Sequence, residues 1–347
     1  MNTKVKWGVI GSGGIARRRT IPEGILPACN AELVAVYDIS LKSNHEVTAQ
    51  FGVRACDSLE ELLSLDIDAV YVATPVHAHA GQVKNCALAG KHILCEKPLG
   101  LDVPQAEELI QVCRRAGVRL GVGFMMRFHP LHQAALKLIQ AGKLGKPVYA
   151  RAQLSCWYPP IPGAWRQDPE LGGGGSLIDM GSHCMDLLEM FFGPVVKVSC
   201  FVNNLVHSYK SEDSSTTLLF FANGVMATVD AFFCVPDDSS KNRLELYGSQ
   251  GSILAQGTIG QSSGGVMTSF LHDMTAGYDA QQSRSLADGE PIQAGTENLY
   301  QLEIEEFSQA VLENRDPRLN AGIGLQSQKV IAACYESART DRAVRIE

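Results

Sequence analysis

Three side chains able to hold or move a proton stand in two short stretches of this chain. Cys95-Glu96-Lys97-Pro98 supplies a lysine, and Gly172-Gly-Gly-Gly-Ser-Leu-Ile-Asp179-Met-Gly-Ser-His183 supplies an aspartate and a histidine four residues apart. With a helix from Ser176 onward, Asp179 and His183 share one face. His183 titrates near neutrality, so it serves as base in one direction and as acid in the other. Lys97 is placed to stabilise the alkoxide that develops on a reacting hydroxyl. Asp179 contacts a neighbouring hydroxyl or orients Lys97 and His183. Such a set interconverts a secondary alcohol and a ketone, provided that something accepts the hydride.

The N-terminus offers that acceptor. Val5–Ile10 reads as a buried strand, and Gly11-Ser-Gly13-Gly14-Ile15-Ala16 follows at once, with a helix able to start there. This is a G-x-G-x-x-A loop, whose backbone lets a pyrophosphate approach a helix N-terminus. A second strand, Glu32–Tyr37, ends in Asp38, an acid positioned to bind a ribose 2′-hydroxyl. A carboxylate there repels a 2′-phosphate, so NAD is expected rather than NADP. Lys42 is read as a solvated lysine on the next helix. Arg17, Arg18 and Arg19 form the one locally basic run, and at least two of them are assigned to an exposed helix face.

Up to about residue 123 strands and helices alternate, with further strands at Asp68–Val72, Lys91–Leu94 and Arg119–Gly123 and helices around 42–51, 77–89 and 102–116. That is a doubly wound parallel sheet. Thr74-Pro75, Lys97-Pro98 and Gly123 fall at strand C-terminal ends, where such sheets bind ligands. Beyond Phe128-His-Pro130 come a helix to about Ala141, a strand at Pro147–Leu154 and a loop rich in proline and aromatics, Trp157–Arg166. After the helix bearing Asp179 and His183 the chain reads as consecutive strands at 195–203, 214–221, 225–234, 243–248 and 252–256. Residues 257–296, rich in Gly, Ser and Gln, read as a long loop. Two amphipathic helices, 297–314 and 321–340, close the chain. The expected fold class is α/β: a Rossmann domain over 1–124, then an α+β domain over 125–347 with a large, open, mostly antiparallel sheet. The C-terminal helices are free to pack back on the first domain.

The net charge of −7 argues against nucleic acid as a partner. No apolar stretch is long enough to span a bilayer, and the chain moves straight into its first strand without a signal peptide. The 10 cysteines form no C-x-x-C pair. Reduced thiols, a cytoplasmic location and no metal site are therefore expected.

Taken together, Gly11–Ala16, Thr74-Pro75 with His79, Gly90-Lys-His92, Glu96-Lys97-Pro98, Trp165-Arg166 and Gly173–Asp179 with His183 resemble the Gfo/Idh/MocA oxidoreductase family. The resemblance runs over essentially the whole chain. It implies a hydride transfer between a nicotinamide cofactor and a ring carbon of a sugar, cyclitol, glycoside or related diol, a sugar C3 position being one case. It implies dimers or tetramers built through the second sheet. It assigns Lys97, Asp179 and His183 to catalysis. Gly11, Gly13, Gly14, Ile15, Asp38, Thr74, Pro75, His79, Glu96, Lys97, Arg127, Trp165 and Arg166 fall to the cofactor. Trp157, Tyr158, Lys97, Asp179 and His183 fall to the substrate, with the aromatic faces suited to a sugar ring. Tyr300 is a weaker candidate for the cofactor pocket. Two departures stand out. Val76 replaces the asparagine common after the Thr-Pro turn, and Phe124-Met125-Met126-Arg127 lacks the tyrosine common before the arginine. Alternative outcomes are a glycosidase that oxidises its substrate transiently with bound NAD, and a non-catalytic dinucleotide-binding regulator. Retention of both Lys97 and His183 speaks against the regulator.

Overall fold

The computed structural model describes residues 4–272, 280 and 288–346. Its first sheet is built from β1 (Val5–Ile10), β2 (Ala31–Tyr37), β3 (Arg54–Ala55), β4 (Ala69–Val72), β5 (His92–Glu96) and β6 (Leu120–Gly123). All neighbours pair in parallel, in the order β3-β2-β1-β4-β5-β6. The order reverses direction between β1 and β4, and a crevice opens there at the strand C-termini. The interior strands are apolar runs because helices cover both faces. These helices are α1 (Leu41–Phe51), α2 (Leu59–Ser64), α3 (Val76–Leu88) and α4 (Val103–Ala116), preceded by a wide-pitched helix over Ala16–Ile25. Ser40, Ser58 and Asp102 cap α1, α2 and α4 through side chains that accept a backbone N–H of the first turn.

The chain then forms α5 (Pro130–Gln140), β7 (Pro147–Ser155), the short α6 (Pro169–Gly172) and α7 (Ser182–Phe192). The remaining strands are β8 (Val195–Asn203), β9 (Ser214–Phe221), β10 (Met226–Phe232), β11 (Arg243–Gly248), β12 (Gly251–Gln256), β13 (Val266–Leu271), β14 (Glu290–Pro291) and β15 (Val344–Arg345). Among the described residues they make one sheet, β14-β13-β12-β11-β7-β10-β9-β8-β15. Only β7 and β10 pair in parallel, so the sheet is mixed and mostly antiparallel. Burial alternates along β9, as it must when helices cover one face and the other is bare.

Two expectations needed correction. Residues 257–296 are not one loop: Val266–Leu271 pairs with β12 in antiparallel register. Its alternating Val, Thr and Phe pattern was masked by the flanking Gly and Ser. Residues 273–279 and 281–287 of that stretch lie outside the described residues. In addition, β3 and α2 occupy the interval from 52 to 67, where no element was expected.

The last two helices, α8 (Leu299–Leu312) and α9 (Ala321–Thr340), return to the first sheet. The Trp7 indole donates to Ser308 Oγ at 3.1 Å and packs on Phe307 with ring centroids 5.4 Å apart. Val122 N–H donates to the Leu319 carbonyl at 3.0 Å. No described helix is long and apolar enough to cross a membrane, and all 10 cysteines are free thiols.

Candidate active site

A cavity of about 970 Å³ runs across the crevice of the first sheet to the inner wall of the second, the upper end of the range for small-molecule sites. One end is the glycine loop. Gly11 has φ +82°, and a Cβ there would lie 2.8 Å from the Ala73 carbonyl group, so no side chain fits. Gly13 N–H donates to Asp38 Oδ2 at 3.2 Å, and Ser40 N–H donates to Asp38 Oδ1 at 2.8 Å. Gly13, Gly14, Ile15, Asp38, Thr74 and Pro75 all line this end. A bare-backbone cradle closed by an acid fits a dinucleotide. Arg18 lines the same end, whereas Arg17 pairs with Glu46 and Arg19 with Glu23.

At the other end residues from three distant segments meet. Lys97 Nζ lies 2.8 Å from Asp179 Oδ1 and donates to the Asp179 carbonyl at 2.5 Å. Arg166 Nε lies 3.1 Å from Asp179 Oδ2, and its guanidinium sits 4.1 Å above the Trp165 ring. Burial alone would raise the Asp179 carboxyl, but Arg166 and Lys97 outweigh it and hold it well below the usual range. His183 is buried, with the Phe124 ring edge-on at 5.8 Å. Burial, and then the Lys97 charge, push its imidazole well below the ordinary histidine value, which corrects the near-neutral titration expected from the sequence and leaves it neutral at pH 7. His183 Nδ1 is buried with no hydrogen-bond partner among the described residues, which leaves Nε2 as the nitrogen for a bound molecule.

The backbone explains this convergence. Leu177–Gly181 is wound one residue wider than an α-helix, and Ser182 N–H donates to Leu177 O, five residues back. Such widened turns recur at functional sites. The turn runs into α7, which carries His183. Its start is held by Glu212, a residue that sequence reasoning missed. Glu212 Oε1 accepts from Gly175 N–H at 2.9 Å, from Leu177 N–H at 3.0 Å and from the Tyr335 hydroxyl at 2.9 Å. On the Lys97 side, Glu96 lines the cavity. Its carboxylate accepts from the Tyr71 hydroxyl, which in turn accepts from Thr20 Oγ1 at 2.9 Å. Tyr300 also lines the cavity, its buried hydroxyl without a partner among the described residues.

Four assigned residues stand outside the cavity lining. His79 is buried, with Nδ1 3.0 Å from the Pro98 carbonyl and Nε2 2.9 Å from the Thr74 carbonyl. It ties the two turns together from behind, and His77 takes the place facing the cavity. Arg127 turns away to Asp186, making contacts of 2.9 and 2.8 Å. The Trp157 ring packs against His207. Tyr158 packs against Phe233, and its side chain hydrogen-bonds Arg166, so it reaches the site through that arginine rather than as a free aromatic face. In their place Met125, Met126, Met180, Leu154, Ser155, Cys156, Asp237, Asn242, Gly260 and Gln261 complete the far end. Met125, Met126 and Met180 lie inside stretches quoted above for their neighbours, and the others stood in no recognisable motif.

Comparison with known proteins agrees with this geometry. Residues 5–124 match the model of the oxidoreductase family with an NAD-binding Rossmann fold, and residues 132–254 match the GFO/IDH/MocA C-terminal domain. The chain is 29% identical to a 1,5-anhydro-D-fructose reductase of Ensifer adhaerens over 99% of this chain and 98% of that one. It is 30% identical to a trans-1,2-dihydrobenzene-1,2-diol dehydrogenase of Mus musculus over 71% of this chain and 73% of that one. The aldose-aldose oxidoreductase of Caulobacter crescentus, solved with glycerol, superposes with a TM-score of 0.86 at 24% identity, covering 99% of this chain and 100% of that one. The chain belongs to the GFO/IDH/MocA family and is an oxidoreductase.

Proposed function

We propose that the protein is an NAD-dependent dehydrogenase or reductase acting on a secondary alcohol or ketone of a sugar, cyclitol or glycoside ring. The observation that carries this reading is the convergence of Lys97, Asp179, Arg166 and His183 at one end of a cavity whose other end is a glycine cradle. Both relatives named above reduce or oxidise oxygenated rings by name, which supports the same substrate class. A bound nicotinamide supplies the hydride acceptor or donor. Gly11, Gly13, Gly14, Ile15, Asp38, Thr74, Pro75 and Glu96 would hold the cofactor. Asp38 favours NAD, since a 2′-phosphate would meet a carboxylate already bonded to two backbone N–H groups.

Lys97 binds the reacting oxygen and stabilises its negative charge. Asp179 fixes the lysine, and Arg166 fixes Asp179 from the other side. His183 Nε2 takes the hydroxyl proton during oxidation and returns it during reduction, which requires the resident proton on Nδ1. The bare face of the second sheet exposes Phe201, Leu218, Phe220 and Met226. A second copy covering that face fits this apolar surface.

The test is an absorbance assay at 340 nm with NAD and NADP against D-glucose, D-xylose, myo-inositol, sugar phosphates and aryl glucosides, with light scattering on the same sample. Turnover of a neutral ring polyol, faster with NAD, is expected. No turnover and no thermal shift with either dinucleotide overturns the reading. Release of free sugar without net NADH replaces it with glycoside cleavage.

A further inference from the structure

The far end of the cavity is closed by a loop that no motif announced. Residues 257–265 join β12 to β13, and the strands meet at the pair Gln256–Val266. The neck is tight: a Cβ on Gly265, which has φ +101°, would lie 2.6 Å from the Gly257 carbonyl carbon. Gly257 N–H donates to the Asn242 carbonyl at 3.1 Å, and Asn242 lines the cavity beside Ser155. Thr258 and Ile259 are fully buried, while Gly260 and Gln261 reach the cavity. Leu299 N–H, at the start of α8, donates to Ser263 Oγ at 3.2 Å.

Two histidines hold the loop to the opposite wall. His132 Nδ1 lies 2.8 Å from the Met126 carbonyl and Nε2 lies 3.1 Å from Thr258 Oγ1. A carbonyl only accepts, so Nδ1 carries the proton and Nε2 accepts from the threonine hydroxyl. His129 has the opposite tautomer. Its Nδ1 accepts from Leu131 N–H at 3.1 Å, so Nε2–H donates to the Gly264 carbonyl at 3.0 Å. The two rings lie 4.6 Å apart. Each neutral ring thus spends one donor and one acceptor, and between them they tie both feet of the loop to the segment that carries Met125 and Met126.

We propose that Gln261 is a specificity-determining residue for the substrate, and that His129, His132 and Thr258 are positioning residues that set its distance from the Met125–Met126 wall. An amide both donates and accepts, which matches a neutral ring hydroxyl rather than a charged group. This rests on the sugar-oxidoreductase reading above.

The experiment compares Gln261→Ala, Thr258→Val and Thr258→Ser by steady-state kinetics on D-glucose, D-xylose and myo-inositol, and by amide hydrogen exchange of residues 257–265 without substrate. Gln261→Ala and Thr258→Val should raise the sugar KM about tenfold, the size of one lost hydrogen bond, with kcat and the NAD KM within about threefold. Thr258→Ser should restore the wild-type KM. Exchange should quicken in Thr258→Val alone. An unchanged KM in Gln261→Ala overturns the specificity role, and unchanged exchange in Thr258→Val overturns the clamp. A wild-type enzyme without nicotinamide-linked turnover of any of the three sugars sinks the functional reading instead, and the exchange rates still decide the clamp.

Discussion

Asp179 and Asp186 stand two turns apart on one continuous helical run, and each faces an arginine, yet their surroundings differ. Asp179 opens on the cavity, holds two cations and keeps its charge. Asp186 is sealed in the interior and holds Arg127 alone in a two-pronged contact. Burial pushes the Asp186 carboxyl up, against the pull of Arg127. The histidines divide the same way. His183 lines the cavity, whereas His132 spends both nitrogens on the scaffold and the neutral His79 donates to one of the two carbonyls beside it. Residue type does not separate chemistry from scaffolding here. Access to the cavity does.

Removing the cavity-facing member should cost rate and spare the fold. His183→Ala is expected to lower kcat by about 10²–10⁴-fold, the usual size of general acid–base assistance, with little change in Tm. Activity within a few-fold of wild type would place His183 with the scaffold. The sealed pair should behave in reverse. Arg127→Met leaves Asp186 buried and unpaired, and urea unfolding should show a loss of about 3–5 kcal/mol. The NAD KM of the folded enzyme should hold, and a large rise would return Arg127 to the cofactor site.

The smallest expected effect concerns acid. Burial lowers His79 to about 4 and His132 to about 3, below the unfolded value near 6.5. As pH falls below about 6.5 the unfolded chain binds protons that the folded rings refuse. Stability is therefore full above that pH and is lost on the way down toward 4, by about 1.4 kcal/mol per pH unit for each such histidine. Urea midpoints between pH 7.5 and 5 should show this slope, shallower by roughly one proton in His79→Gln. An equal slope in that variant would mean that His79 does not titrate as a sealed ring.

Much of the scaffold was legible from the amino acids. Parallel strands buried on both faces appear as plain apolar runs, and the glycine loop sits where β1 ends. Lys97, Asp179 and His183 were also legible, since local spacing and strand ends determine where they emerge. Direction in three dimensions was not. Arg127 and His79 stand next to cavity residues in the chain but turn the other way. Trp157 and Tyr158 offered aromatic faces that His207 and Phe233 had already taken. Glu212 holds backbone brought close from dozens of residues away, and no local pattern marks such a meeting.

The return of α8 and α9 to the first sheet has a structural cost for any attempt to separate the halves. Cutting the chain near residue 124 would strip the cover from Trp7, orphan its indole N–H and leave Val122 without the Leu319 carbonyl. The nucleotide-binding half is thus completed by a segment synthesised long after it, and until that segment arrives one flank of its interior stays wet.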